Sequence, residues 1–138
     1  MFRIVSKTAL IAVAVASLAG AAQAADFKIS FTWDGLKLCT SGSPNVVPNP
    51  AFVVKGLPAG TQVVQFRLVD LDVPGYDHGG GAVAMTKDGK VPSGAFRYKS
   101  PCPPNGKHTY EWTAVAKSKK GFGGKKLGTA KARRKYPE

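Results

Sequence analysis

The chain has 138 residues, with 20 lysines and arginines against 8 acidic residues and a formal net charge of +12. That length suits one domain with a modest core rather than several. The 10 prolines and 16 glycines exclude long helices from most of the sequence.

The N-terminus reads as an export signal. Arg3 and Lys7 precede an uncharged, apolar run from Thr8 to Gly20, and Ala22-Gln23-Ala24 supplies the small residues that a signal peptidase needs. The expectation is a cleavable leader over residues 1–24, cut after Ala24, and a single mature domain over residues 25–138. An uncleaved anchor helix is the alternative, but the apolar run is shorter than the roughly 20 residues a bilayer span takes.

Beyond the leader, period two dominates. Phe27, Ile29, Phe31 and Trp33 alternate with Lys28, Ser30 and Thr32, which predicts a strand with one buried face. Cys39 to Pro50 reads as a loop rich in Ser, Pro, Asn and Gly. Phe52 to Val54 reads as a short strand and Lys55 to Thr61 as a turn. From Gln62 to Asp70 a strand is predicted with Val64, Phe66 and Leu68 on one face. Gly81 to Thr86 is another strand, followed by a hairpin turn at Asp88-Gly89. Ala95 to Tyr98 is a further strand, and Ser100 to Gly106 is irregular. His108 to Ala116 is a strong strand whose His108, Tyr110, Trp112 and Ala114 share a face. Lys117 to Gly128 reads as a basic connecting loop and Thr129 to Tyr136 as the last strand. The expected class is therefore all-β and mainly antiparallel, a β-sandwich.

The two cysteines, Cys39 and Cys102, lie in the mature part. An even count in an exported chain suggests one disulfide, with two buried thiols as the alternative. Such a bridge closes a long loop, worth about 4 kcal/mol in the chain-entropy model.

Chemistry-bearing residues collect at strand ends. Asp70 continues the apolar face of Val64, Phe66 and Leu68, and Asp72 keeps its parity. A carboxylate where a core face runs out must find donors or sit at a pocket edge. His108 opens a strand on the face that carries Tyr110 and Trp112. His78 precedes Gly79-Gly80-Gly81, whose backbone N–H groups could approach a ligand closely. No G-x-S-x-G segment or other activated nucleophile accompanies them, so the chain is expected not to be an enzyme. The histidine and carboxylate spacing is not diagnostic of zinc, so neither a metal nor another cofactor is expected. A purely structural hydrogen-bond network is the bland alternative for the same residues.

Several segments, in order, resemble the phosphatidylethanolamine-binding protein family, also called Raf-kinase-inhibitor-like proteins. NPAFVVKGLPAGT (Asn49 to Thr61) is similar to that family's Ser-Pro-x-Leu-x-Trp-x-Gly-x-Pro-x-Gly-Thr segment. DLDVP (Asp70 to Pro74) is similar to its Asp-Pro-Asp-x-Pro motif. PCPPNGKHTY (Pro101 to Tyr110) is similar to its proline-rich loop followed by Gly-x-His-Arg-Tyr. Cys39 and Cys102 fall where exported bacterial members carry a pair. The likeness runs from about Trp33 to Ala116, with a weaker echo at Leu127 to Tyr136. It departs at Val54 (for Trp), Leu71 (for Pro), Gly79 (for an aromatic) and Thr109 (for Arg). The helix-bearing segment between the family's last strands is cut to Lys117–Gly128.

The resemblance implies a β-sandwich with a small anion pocket lined by Asp70, Asp72, His78, His108 and Tyr110. The Pro101 to Gly106 loop would form one wall. It implies non-catalytic binding of a small anionic or phosphorylated ligand, like a phospholipid headgroup, by a periplasmic or secreted protein. Kinase inhibition belongs to cytosolic eukaryotic members and is not carried over.

A second reading rests on the basic region Lys117 to Lys135, which holds no acid between Glu111 and Glu138. It would make the chain a polyanion- or envelope-surface-binding protein, with an anionic membrane as partner. A solvated, solubilising surface is its bland counterpart. Aromatic residues are too sparse there for a single-strand platform, so no nucleic-acid partner is expected. The sequence assigns no oligomeric state.

Overall fold

The computed structural model describes residues 26–138. The predicted leader and its cleavage after Ala24 lie outside the described residues. Nine strands form among the described residues, every pairing is antiparallel, and no helix occurs. They are β1 (Lys28–Phe31), β2 (Val46–Pro48), β3 (Phe52–Lys55), β4 (Val63–Asp70), β5 (Gly80–Ala84), β6 (Gly89–Val91), β7 (Arg97–Lys99), β8 (His108–Lys117) and β9 (Lys126–Tyr136).

The strands make a four-stranded sheet in the order β5-β4-β8-β9, a three-stranded sheet in the order β1-β3-β6, and a small β2-β7 ribbon. The all-β expectation holds. Alternation drives the packing: Ile29 and Phe31 of β1 are buried while Lys28 and Ser30 are exposed, and Val64, Phe66 and Leu68 of β4 are buried while Gln65 and Arg67 are exposed. The buried faces of the two larger sheets meet in a sandwich-like core. Phe52 of β3 stacks on Phe66 of β4 at 4.5 Å and meets Trp112 of β8 edge-on at 5.2 Å. Aromatic pairs at these distances add to the stabilisation from burial alone.

Four sequence expectations are corrected. Asp88-Gly89 is not a hairpin turn between neighbours, because β5 pairs with β4 while β6 pairs with β3. Instead the Asp88 carboxylate accepts the N–H groups of Gly56 (2.9 Å) and Leu57 (2.8 Å), closing the turn after β3. These bonds hold its carboxyl below the usual range. Cys39 to Pro50 contains β2, whose partner β7 lies far along the chain. The segment Lys117 to Gly128 is shorter as a loop than expected, because β8 runs to Lys117 and β9 begins at Lys126. Finally, two of the three glycines after His78, Gly80 and Gly81, serve strand packing. A Cβ on Gly80 would lie 1.9 Å from the Phe66 carbonyl oxygen, and one on Gly81 would lie 2.5 Å from the Phe96 side chain.

Cys39 and Cys102 are joined in a disulfide with a Cα–Cα distance of 4.7 Å, across 63 residues. Such a bridge suits an oxidising compartment. It fastens the segment after β1 to the proline-rich segment before β8. The Tyr136 hydroxyl of β9 reinforces the same corner, accepting the Cys39 N–H (2.8 Å) and donating to the Lys37 carbonyl (3.2 Å).

Candidate functional site

β4 and β8 are paired so that Asp70 faces Tyr110. The end of one strand and the start of the other therefore deliver their polar side chains to one place. There a cavity of about 220 Å³ is lined by Asp70, His78, His108 and Tyr110, together with Val73, Tyr76, Gly42, Pro44, Cys102, Pro103 and Pro104.

Asp70 is buried and fully engaged. One carboxylate oxygen accepts the N–H groups of Asp72 (2.9 Å) and Val73 (3.2 Å), which shapes the turn leaving β4. The other lies 2.6 Å from His108 Nδ1. A carboxylate only accepts, so His108 carries its proton on Nδ1 and leaves Nε2 to meet a ligand. A second proton on that ring would make a buried, hydrogen-bonded ion pair with Asp70.

His78 is held differently. Its Nδ1 lies 2.8 Å from the Lys99 carbonyl oxygen, which can only accept, so Nδ1 again carries the proton. The ring meets Tyr76 edge-on at 4.6 Å and Tyr110 at 5.6 Å. Burial lowers the His78 pKa below 6.5, outweighing the Lys99 carbonyl and the charges of Asp70 and Asp77, which act the other way. Neutral His78 presents Nε2 as a hydrogen-bond acceptor. Tyr110 is pushed well above the ordinary phenol range, first by burial and then by the Asp70 charge, so its hydroxyl stays protonated.

Of the residues expected from sequence, Asp70, His78, His108 and Tyr110 are brought together in one cavity. The other three are not part of its lining. Asp72 sits just beyond β4, where its carboxylate accepts the Thr109 N–H at 2.7 Å and so clamps the start of β8. Strand parity ends with the strand, so extending the Asp70 parity to Asp72 fails. Pro101 is fully buried as support behind the wall. Gly106 occupies the turn before β8 with φ of 67°. Pro103 and Pro104 supply the wall instead.

The sequence reading missed Tyr76, Val73 and the Gly42–Pro44 side of the cavity. Tyr76 had a signal, an aromatic two positions before His78. Gly42 and Pro44 had none in local pattern, because long-range links carry their loop across to Pro104: the disulfide, the Asn45–Ser100 hydrogen bonds and the β2-β7 pairing.

Asp70, Asp72 and His108 also offer donor atoms within 4.8 Å of one another. Both Asp70 oxygens and one Asp72 oxygen are occupied by N–H donors. The cluster is a hydrogen-bond network in which His108 Nε2 and the second Asp72 oxygen are the open positions.

Comparisons with protein-family models, with curated proteins and with solved structures find no match. The pocket is therefore read from its own residues.

Proposed function

We propose that this chain is an exported, non-catalytic binding protein for a small anionic or phosphorylated ligand, of the phosphatidylethanolamine-binding type. The observation that carries the reading is the convergence of two unlike imidazoles on one small cavity. His108, tied to Asp70, can offer a charge-assisted Nε2–H donor. His78, kept neutral by burial, offers an Nε2 acceptor. A singly protonated phosphate or phosphate monoester has both an anionic oxygen and a hydroxyl, and so satisfies both rings. The proline wall and the apolar rim of Val73 and Tyr76 suit a short organic substituent on that phosphate.

The non-catalytic reading rests on Asp70, whose oxygens are taken up by the N–H groups of Asp72 and Val73 and by His108, and on a lining cysteine that is disulfide-bonded. The disulfide, with the leader read from residues 1–24, supports a periplasmic or secreted location.

The test is histidine-resolved NMR with inorganic phosphate and glycerol phosphate. Signals from both rings are expected to shift. Binding is expected to weaken as pH rises, because the Nε2–H donor exists only while the His108 ring is protonated on both nitrogens. His108→Ala should abolish the response in a protein that still folds. A full anion panel that leaves both rings undisturbed overturns the proposal.

A further inference from the structure

The end of the sandwich opposite the pocket carries a second feature. β8 starts at His108 in the pocket wall and runs for ten residues to Lys117, where residues 118–125 turn back into β9. This loop is built rather than slack. Ser118 N–H donates to the Lys125 carbonyl (2.9 Å), and Lys125 N–H donates to the Ser118 hydroxyl (2.8 Å). Gly121 and Gly123 take φ of 77° and 79°, which only glycine adopts at little cost. At the tip between them stands Phe122, fully exposed at 104 %. It is the most exposed large apolar side chain of the described residues.

Lysines surround it: Lys119 and Lys120 before the tip, Lys125 and Lys126 after it. No acid occurs from Trp112 to Pro137. At the same end, β1 and β3 pair Lys28 with Lys55, and Lys28 shares a cleft with Leu127 and Gly128. The acids at this end are Asp26 and Asp88, and they lie beside Lys28 and Lys55 rather than among the lysines of the loop.

A protruding aromatic inside a ring of lysines matches one environment in both its parts. Headgroup phosphates attract the ammonium groups, and the acyl boundary just beneath accepts the ring. A soluble polyanion would use the lysines and leave Phe122 in water. We propose that the 118–125 loop docks this domain on an anionic lipid bilayer by inserting Phe122, with Lys119, Lys120, Lys125 and Lys126 on the headgroups.

The full chain carrying Phe122→Trp tests this, because its new indole reports from the tip while Trp33 and Trp112 stay buried. Vesicles of phosphatidylcholine, with and without roughly one-third phosphatidylglycerol, are the probe. A blue shift of emission, with quenching by brominated acyl chains, is expected on the anionic vesicles only. Each Lys→Gln change at the four positions is expected to weaken binding by about fivefold. Phe122→Ser is expected to weaken it by about tenfold or more. Because four of the five side chains are on an outer loop and the fifth, Lys126, is exposed at the start of β9, these variants should keep the parent fold, checked by near-ultraviolet circular dichroism.

Three results would overturn the proposal. One is an unshifted tip indole on anionic vesicles. Another is heparin retention that matches vesicle binding and ignores Phe122→Ser, which would make the surface a polyanion site. The third is a shift from a Leu71→Trp probe beside the pocket while the tip stays silent, which would place any bilayer at the other end.

Discussion

Asp70 receives three donors, the N–H groups of Asp72 and Val73 and the His108 ring. Asp70→Ala strands the Asp72 N–H and the His108 ring, while the Val73 N–H keeps the Asp70 backbone carbonyl, so a loss of about 2 kcal/mol or more is expected in urea denaturation. Asp70→Asn, which keeps an acceptor for the turn, should cost less yet still weaken phosphate binding by releasing His108. His78 makes a separate prediction about acid. Its folded-state pKa lies below 6.5, so as pH falls past 6.5 the unfolded chain takes up its proton first. Stability is whole above that pH and declines below it until the folded pKa is passed. His78→Asn, whose amide can still donate to the Lys99 carbonyl, should flatten that decline in a series of melts at stepped pH. An unchanged acid slope would show that burial of His78 is not its source.

Strand parity carried much of the architecture. In β1, β4 and β8, alternating side chains marked the buried face, and the same parity placed Asp70 and Tyr110 at one end of one sheet. Where the parity stopped, so did the reading: Asp72 lies past the last strand residue and turns away to Thr109. Strands of three residues, such as β2 and β6, hold too little alternation to be seen, and their partners are set by tertiary contacts rather than neighbours; β7 is legible but starts two residues later than expected. The glycines after His78 suggested open space near a ligand, whereas Gly80 and Gly81 answer to the close approach of Phe66 and Phe96. Gly80→Ala is therefore expected to break the β4-β5 pairing locally and cost about 2 kcal/mol or more, measured by chemical denaturation. The disulfide acts at the same scale. Replacing Cys39 and Cys102 together by alanine frees a 63-residue span and should cost about 4 kcal/mol. It should also loosen the Gly42–Pro44 wall, so phosphate affinity should fall in conditions where the variant remains folded.

At the scale of the molecule, charge is unevenly placed. On the outer face of β8, Glu111 is buried beneath Lys131 and Arg133, its carboxylate 3.5 Å from one and 2.5 Å from the other. That contact ties the long edge strand β9 to its neighbour. On the inner side Arg134 and Trp33 join β9 to the other sheet instead, donating to the carbonyls of Phe31 and Lys135 respectively. The remaining lysines of the 118–126 stretch meet no carboxylate within ion-pair distance among the described residues. Retention on anionic vesicles should accordingly fall steeply with added salt. Glu111→Gln should leave that salt dependence nearly unaltered while lowering stability by about 1 kcal/mol.

β8 is bonded on both sides, to β4 and to β9, and has one irregularity, between Ala116 and Lys117. At about 3.3 Å per residue, its ten residues make a stiff spacer of roughly 30 Å between the cavity and the lysine loop. The Debye length in physiological salt is about 8 Å. With the loop seated on a charged surface, the cavity would stand several screening lengths above it. The surface potential would then leave the protonation of both imidazoles untouched, and phosphate should bind a docked domain as tightly as a free one.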